Sequence, residues 1–240
     1  MRLLVTRPQE DAAVFAAKLR ELGHEPLIAP LLTVRFHDGP PLAFEGIDGI
    51  LATSANGVRA LVRRTSRRDL PLYAVGPQTA EAARQAGFAQ VESADGDAEA
   101  LAEALPRWVK PASVLFHSTG KEGAGRLASL LAGKGYEVQT CVLYEVDAAA
   151  TLPASIAEAL SNGSLSAAFF FSPRSARVFA ECTMKAGLAE KCAPLAALCI
   201  SQATASALAP LAFAVCRIAE KPNQDALLPC LDLVLYRQGQ

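Results

Sequence analysis

Short apolar runs alternate with alanine-rich helical stretches along this 240-residue chain, and few folds accept that order. The runs are RLLVTR at 2–7, GILATS at 49–54, LYAVG at 72–76, SVLFHS at 113–118, EVQTCVLYEV at 137–146, AAFFFSP at 167–173, ALCIS at 197–201 and AVCRIA at 214–219. Between them the helical pattern covers 9–22, 56–64, 78–86, 97–105, 123–133, 174–186 and 203–210. In the first of these Val14, Leu19 and Leu22 form an apolar face at helical spacing, and Gly23 supplies the stop. Strand alternating with helix predicts parallel sheets, and strands that are apolar throughout predict helices on both sheet faces.

A repeat divides this pattern in two. ILATSANGVRAL at 50–61 resembles AFFFSPRSARVF at 168–179, each an apolar run, a serine turn and a helix. AVGPQTAEAARQAG at 74–87 then matches CISQATASALAPLA at 199–212, placing Thr79 and Thr204 alike after a polar turn. Two consecutive β–α units in the same order imply two similar doubly wound α/β domains of Rossmann or flavodoxin type.

Composition excludes several classes. Hydrophobic residues make up 51% and the net charge is −1, with no broad basic footprint for nucleic acid. The cluster RRTSRR at 63–68 falls at a helix end, where arginines complement the dipole. Apolar runs are too short for a membrane span, and the N-terminus does not read as a signal peptide. Cys141, Cys182, Cys192, Cys199, Cys216 and Cys230 form no Cys-x-x-Cys pair, and none has a histidine at metal-ligand spacing. They read as reduced cysteines of a cytoplasmic protein without a metal site.

The strand-to-helix turns offer chemistry of their own. Ligands of open α/β sheets bind outside the carboxyl ends of the strands, where helix starts present unpaired N–H groups and partial positive charge. Ser54, Ser172, Thr79 and Thr204 add hydroxyls there. Each could simply cap its helix, but as a paired set they suit an anionic ligand. HSTGKEGAGRL at 117–127 lacks the spacing of a phosphate-binding loop, yet Ser118, Thr119, Gly120 and Lys121 could hold carboxylates. Arg7 is a further anion contact, or else a partner for a carboxylate on the first helix. Tyr144 could donate a proton in a cleft, or be a buried phenol with a satisfied hydroxyl. His117, at a strand end, is a minor candidate.

The chain resembles the uroporphyrinogen-III synthase family. The matching stretches are LLVTRPQEDAAVFAAKLRELGHEPLIAPLLTV at 3–34, TSANGVRAL at 53–61, YAVGPQTAEAARQAGF at 73–88 and GDAEALAEAL at 96–105, followed by GAGRLASLLAGKGYEVQTCVLYEV at 123–146, FFSPRSARVF at 170–179, SQATASAL at 201–208 and NQDALLPCL at 223–231. The resemblance implies a bilobed arrangement with a two-strand connector near 30–38 and 140–149 and an active site in the cleft between the lobes. Residues 1–35 with 149–240 would form a discontinuous domain, and 36–148 an inserted one.

It also implies a lyase of tetrapyrrole biosynthesis that works without a cofactor as a cytoplasmic monomer. Its substrate would be hydroxymethylbilane, closed to uroporphyrinogen III with inversion of ring D and loss of water. By motif position Tyr144 would assist departure of the terminal hydroxyl. Thr79 and Thr204 would bind substrate, with Ser54, Ser172 and the Ser118–Lys121 stretch as further anchors and Arg7 as an additional contact. The chain departs from the family pattern at Ser201-Gln202, where Gly-Pro is usual, and at Asp147–Ala150, where a proline often follows the tyrosine strand. A relative that binds an anionic ligand without catalysis, or serves in regulation, is the competing expectation.

Overall fold

Leu3 and Val5 point to one side of their strand and Leu4 to the other, and all three are fully buried. A strand apolar at every position needs cover on both faces, and the computed structural model, which describes residues 1–221 and 223–231, supplies it twice. Two units result: Met1–Thr33 with the described residues from Asp147 onward, and Val34–Val146. Each boundary lies two residues before the position expected from sequence.

The first unit contains β1 (Arg2–Val5), α1 (Gln9–Glu21), β2 (Glu25–Ile28), α6 (Ala154–Ser161), β9 (Ala167–Phe170), α7 (Pro173–Lys185), β10 (Ala196–Cys199), α8 (Gln202–Ser206) and β11 (Val215–Ile218). Numbering follows the chain, so the intervening numbers belong to the second unit. The first unit's sheet runs β11-β10-β9-β1-β2, and every pairing is parallel. Counted within the unit, that is the flavodoxin-like order 2-1-3-4-5. Leu4, Ala168, Phe170 and Ala197 pack against Ile156, Leu160 and Phe179 of α6 and α7. Leu3, Val5, Phe169 and Leu198 pack on the opposite face against Ala12, Phe15 and Leu19 of α1.

The second unit contains β4 (Gly49–Ala52), α2 (Ala55–Arg64), β5 (Leu72–Ala74), α3 (Pro77–Gln85), β6 (Val91–Ser93), α4 (Ala98–Ala104), β7 (Val114–Gly120) and α5 (Arg126–Ala132). The unit boundaries fall within β3 (Leu32–Phe36) and next to the end of β8 (Glu137–Ala148). The sheet order is β3-β8-β7-β4-β5-β6, with the β4, β5, β6, β7 and β8 pairings parallel. Ile50, Ala52 and Phe116 face α2 and α3, whereas Leu51, Tyr73 and Leu115 face α4 and α5.

Helix starts follow local chemistry. Ser54 accepts from Gly57 N–H, Asp97 from Ala100, Ser172 from Ser175 and Ser201 from Thr204, satisfying one orphan donor in each first turn. Proline occupies the first turn of α3 and α7, where its missing N–H costs nothing.

Some sequence expectations need correction. The buried face of α1 is Ala12, Phe15, Ala16 and Leu19, while Val14 and Leu22 are exposed. Gly23 does end that helix, with φ +79°. Strands β2 and β6 and helix α6 went unread: β2 begins with Glu-Pro, β6 has only three residues, and α6 has no side-chain cap. The helix expected over 203–210 ends at Ser206. Among the described residues no helix is long and apolar enough to cross a membrane.

Candidate functional site

From β4 the second unit's chain winds through α2 to β5 and β6 on one side, whereas β7 lies against β4 on the other. Such a reversal opens a crevice at the carboxyl ends of the two central strands. Ser54 follows β4, and Ser118, Thr119 and Gly120 end β7.

Four candidate residues meet there. The Tyr144 hydroxyl lies 2.8 Å from Ser54 Oγ, and Gly57 N–H donates to the same serine oxygen at 3.0 Å. Ser118 Oγ donates to Gly57 C=O at 2.7 Å, tying β7 to the first turn of α2. Tyr144 is buried in the α2-side core, with its ring laid across Gly120. A Cβ on Gly120 would stand 2.6 Å from Tyr144 Cζ, closer than atoms pack. With φ −87°, Gly120 is needed for space and not for backbone conformation. Gly57 is confined likewise, since its Cβ would stand 2.8 Å from Ser118 O.

The remaining candidates on β7 and just beyond it differ in access. Thr119 is buried and donates to Gly120 C=O at 3.2 Å, so its side chain serves the turn. Lys121 is exposed and reaches Glu145 at 4.0 Å. Glu145 also pairs with Arg35 and lies 3.5 Å from His37 Nε2. On the α4–α5 side of the sheet, His117 is fully buried with Nε2 3.4 Å from Thr53 Oγ1. Burial without a charged partner lowers its pKa to about 4, so the imidazole is neutral at pH 7. Thr79 is the third residue of α3, buried behind the Gly76-Pro77 start.

The first unit repeats the plan. Its winding reverses between β1 and β9, whose carboxyl ends carry Arg7 and Ser172. The Arg7 guanidinium stacks over Phe171 at 4.7 Å, donates to Gln224 at 2.8 Å and lies 3.8 Å from Asp11. The pairing with a carboxylate on the first helix is therefore present. Ser172 caps α7 and lies 3.0 Å from the Ser175 hydroxyl. Thr204, the third residue of α8, is fully buried, and its hydroxyl lies 3.0 Å from Ser201 Oγ.

Ser201 has φ −158° and Gly76 φ −157°, so the two turns share one extended backbone despite their different residues. The serine adds a cap that glycine lacks. Sequence reasoning missed that bond, although Ser-x-x-Thr is the spacing at which a cap meets the third helical residue. Thr53 was missed because nothing in the sequence marks its contact with His117.

Both units thus present hydroxyls and helix starts at the carboxyl ends of parallel strands. Such a set can bind anionic groups and move a proton at Tyr144, and the positions match the repeat read from sequence.

Comparison with known proteins assigns the chain to a family. The family model described as uroporphyrinogen-III synthase HemD matches residues 13–229, which include every candidate position except Arg7. A Methanocaldococcus jannaschii protein named as a candidate uroporphyrinogen-III synthase is 30% identical over 122 residues, covering 47% of this chain and 49% of that one. The chain therefore spans about half the length of that curated relative. Among solved structures, the Helicobacter pylori uroporphyrinogen-III synthetase aligns with TM-score 0.64 at 20% identity, over 97% of this chain and 100% of that one. A mutant uroporphyrinogen III synthase from the extremely thermophilic bacterium Thermus thermophilus aligns with TM-score 0.57 at 20% identity, over 99% of both chains. At that identity these structures speak for the fold, and the family match over both units leads to one conclusion: the chain belongs to the uroporphyrinogen-III synthase family.

Proposed function

We propose that the protein is a uroporphyrinogen-III synthase, a lyase that closes hydroxymethylbilane to uroporphyrinogen III with inversion of ring D and loss of water. The observation that carries the chemistry is the 2.8 Å contact between Tyr144 and Ser54 hydroxyls beside the start of α2. Ser54 Oγ already accepts the Gly57 N–H. When Ser54 donates to the Tyr144 oxygen, the phenolic proton is left for a ligand. Tyr144 then gives it to the terminal hydroxyl of the bilane, which leaves as water. The partial positive charge at the start of α2 stabilises the electron-rich oxygen that remains.

The azafulvene cation so formed closes through a spiro-pyrrolenine, fragments and recloses in the inverted sense. The bilane also closes unaided to the wrong isomer, so the protein's task is to hold one conformation, and catalysis by position is its main contribution. In this reading the carboxylates of the substrate meet helix starts and hydroxyls. Thr79, Ser54 and the backbone of Ser118, Thr119 and Gly120 act in one unit, with Lys121 beside them. Ser172, Thr204 and Arg7 act in the other. The enzyme would work as a cytoplasmic monomer on a small molecule alone.

The deciding assay supplies freshly prepared hydroxymethylbilane and separates the product isomers. Predominant isomer III supports the synthase. Isomer I alone, at the uncatalysed rate, rejects it in favour of a binding or regulatory relative.

A further inference from the structure

In the first unit Cys199 Sγ on β10 and Cys216 Sγ on β11 are 3.9 Å apart. Their strands are neighbours, and β11 is the sheet's edge. Cys199 opposes Ile218 and Cys216 opposes Ala197, so the thiols meet diagonally on one face. Access to the two differs sharply: Cys199 is buried and Cys216 is exposed. Cys216 also lines a cavity of about 410 Å³ with Arg217, Ile218, Glu220, Pro229 and Cys230, room enough for a small reagent. Cys199 stands two residues before Ser201, whose hydroxyl caps α8 and contacts Thr204.

We propose that Cys216 and Cys199 form a thiol–disulfide exchange pair that low-molecular-weight disulfides oxidise, and that closing the pair loosens the Ser201–Thr204 turn. The Cys216 thiolate attacks one sulfur of the reagent, forming a mixed disulfide and expelling one thiolate. Cys199 sulfur then attacks the Cys216 sulfur, the new protein disulfide forms, and the second reagent thiolate leaves with the Cys199 proton. One disulfide is reduced to two thiols as the protein's two thiols are oxidised. Entry through Cys216 follows from exposure; burial raises the Cys199 thiol pKa and keeps it from reacting with the reagent directly, so its attack rests on the 3.9 Å proximity to the Cys216 sulfur.

Cys199 and Cys216 are offset by two positions in the β10–β11 register, so drawing their sulfurs from 3.9 Å to the bonded distance of about 2.05 Å pulls β11 against β10. A bond made under such strain is easily reduced again, and its strain falls on the strand that leads into Ser201. The exchange chemistry does not rest on the reaction proposed above, although the turn it loosens carries Thr204.

The test exposes the full chain to oxidised glutathione and maps peptides without reduction. The expected product has lost about 2 Da, joins the Cys199 and Cys216 peptides, and reverts with dithiothreitol. Amide exchange at Thr204 and Ala205 should quicken by about threefold or more in that product. Cys199→Ala should stop at a glutathione adduct on Cys216, Cys216→Ser should give neither adduct nor link at this pair, and Cys230→Ala should still form the link. A stable adduct on Cys216 in the unmodified chain, a link to Cys230 instead, or no reaction overturns the pair. A Cys199–Cys216 link with unchanged exchange at Thr204 overturns the coupling to the turn.

Discussion

The hydroxyls of Tyr144 and Ser54 share one hydrogen bond across 90 residues of sequence, while Ser54 also caps α2. Tyr144→Phe removes the proton donor but leaves that cap in place. Turnover to isomer III should fall about tenfold or more, general acid catalysis being worth ~10²-fold at its low end, and stability by only about 1 kcal/mol. Ser54→Ala removes both the cap and the tyrosine's partner, so it should destabilise more. A double-mutant cycle on turnover should show strong non-additivity. Additive losses would mean that the two hydroxyls act separately.

Gly120 tests the same tyrosine without removing its hydroxyl. Its backbone suits any residue, but a Cβ would meet Tyr144 Cζ at 2.6 Å and Cε2 at 2.7 Å. Gly120→Ala should therefore displace the ring and lower turnover about as much as Tyr144→Phe, since the phenol no longer reaches its place. Added to Tyr144→Phe, the alanine should cost little further turnover. Full activity in Gly120→Ala would show that the ring's position on Gly120 does not matter for the reaction.

His117 links stability to pH. Its pKa is about 4 in the folded chain and about 6.5 when unfolded. The unfolded chain therefore takes up a proton below about pH 6.5, whereas the folded chain does so only near pH 4. The stabilisation is present above pH 6.5 and is lost as pH falls from there to 4, by up to about 3 kcal/mol. Urea unfolding at pH 7.5 and 4.5 measures the loss, and His117→Asn should show a smaller difference between the two. Equal pH dependence in both proteins would place the titration elsewhere.

Local features of the site were legible in the sequence, and the long-range ones were not. Ser54 and Ser172 read as helix starts because a serine between an apolar run and a helical pattern has few other uses, and both do cap. The repeated β–α units were visible for the same reason. Which hydroxyl faces Tyr144 is decided by strand order, with β7 and β8 beside β4, and no periodicity encodes that order. Gly120 marks a turn in the sequence and Gly57 falls inside a helical stretch, yet the purpose of both is the close approach of Tyr144 and Ser118. In α1 the alanines blur the apolar stripe, and Phe15 fills the core where the spacing points to Val14.

The turn at Ser201-Gln202 departs from the family's usual Gly-Pro, and its geometry predicts what restoring that pair would do. Ser201 and Gly76 have the same extended φ, so Ser201→Gly fits without strain, and Gln202→Pro enters a first-turn position that needs no N–H. The double change removes the Ser201 cap on Thr204 N–H and the 3.0 Å contact with the Thr204 hydroxyl. Losing a serine cap to glycine costs only a few tenths of a kcal/mol, and proline at a compatible site restores a similar amount by restricting the unfolded chain. Thermal stability should thus change by less than about 1 kcal/mol. In the proposed reading the buried Thr204 hydroxyl, released from Ser201, can turn toward the bilane, so KM should fall with product isomer III unchanged. Product analysis beside steady-state kinetics checks both, and a rise in isomer I would show that Ser201 itself helps set the orientation of ring D.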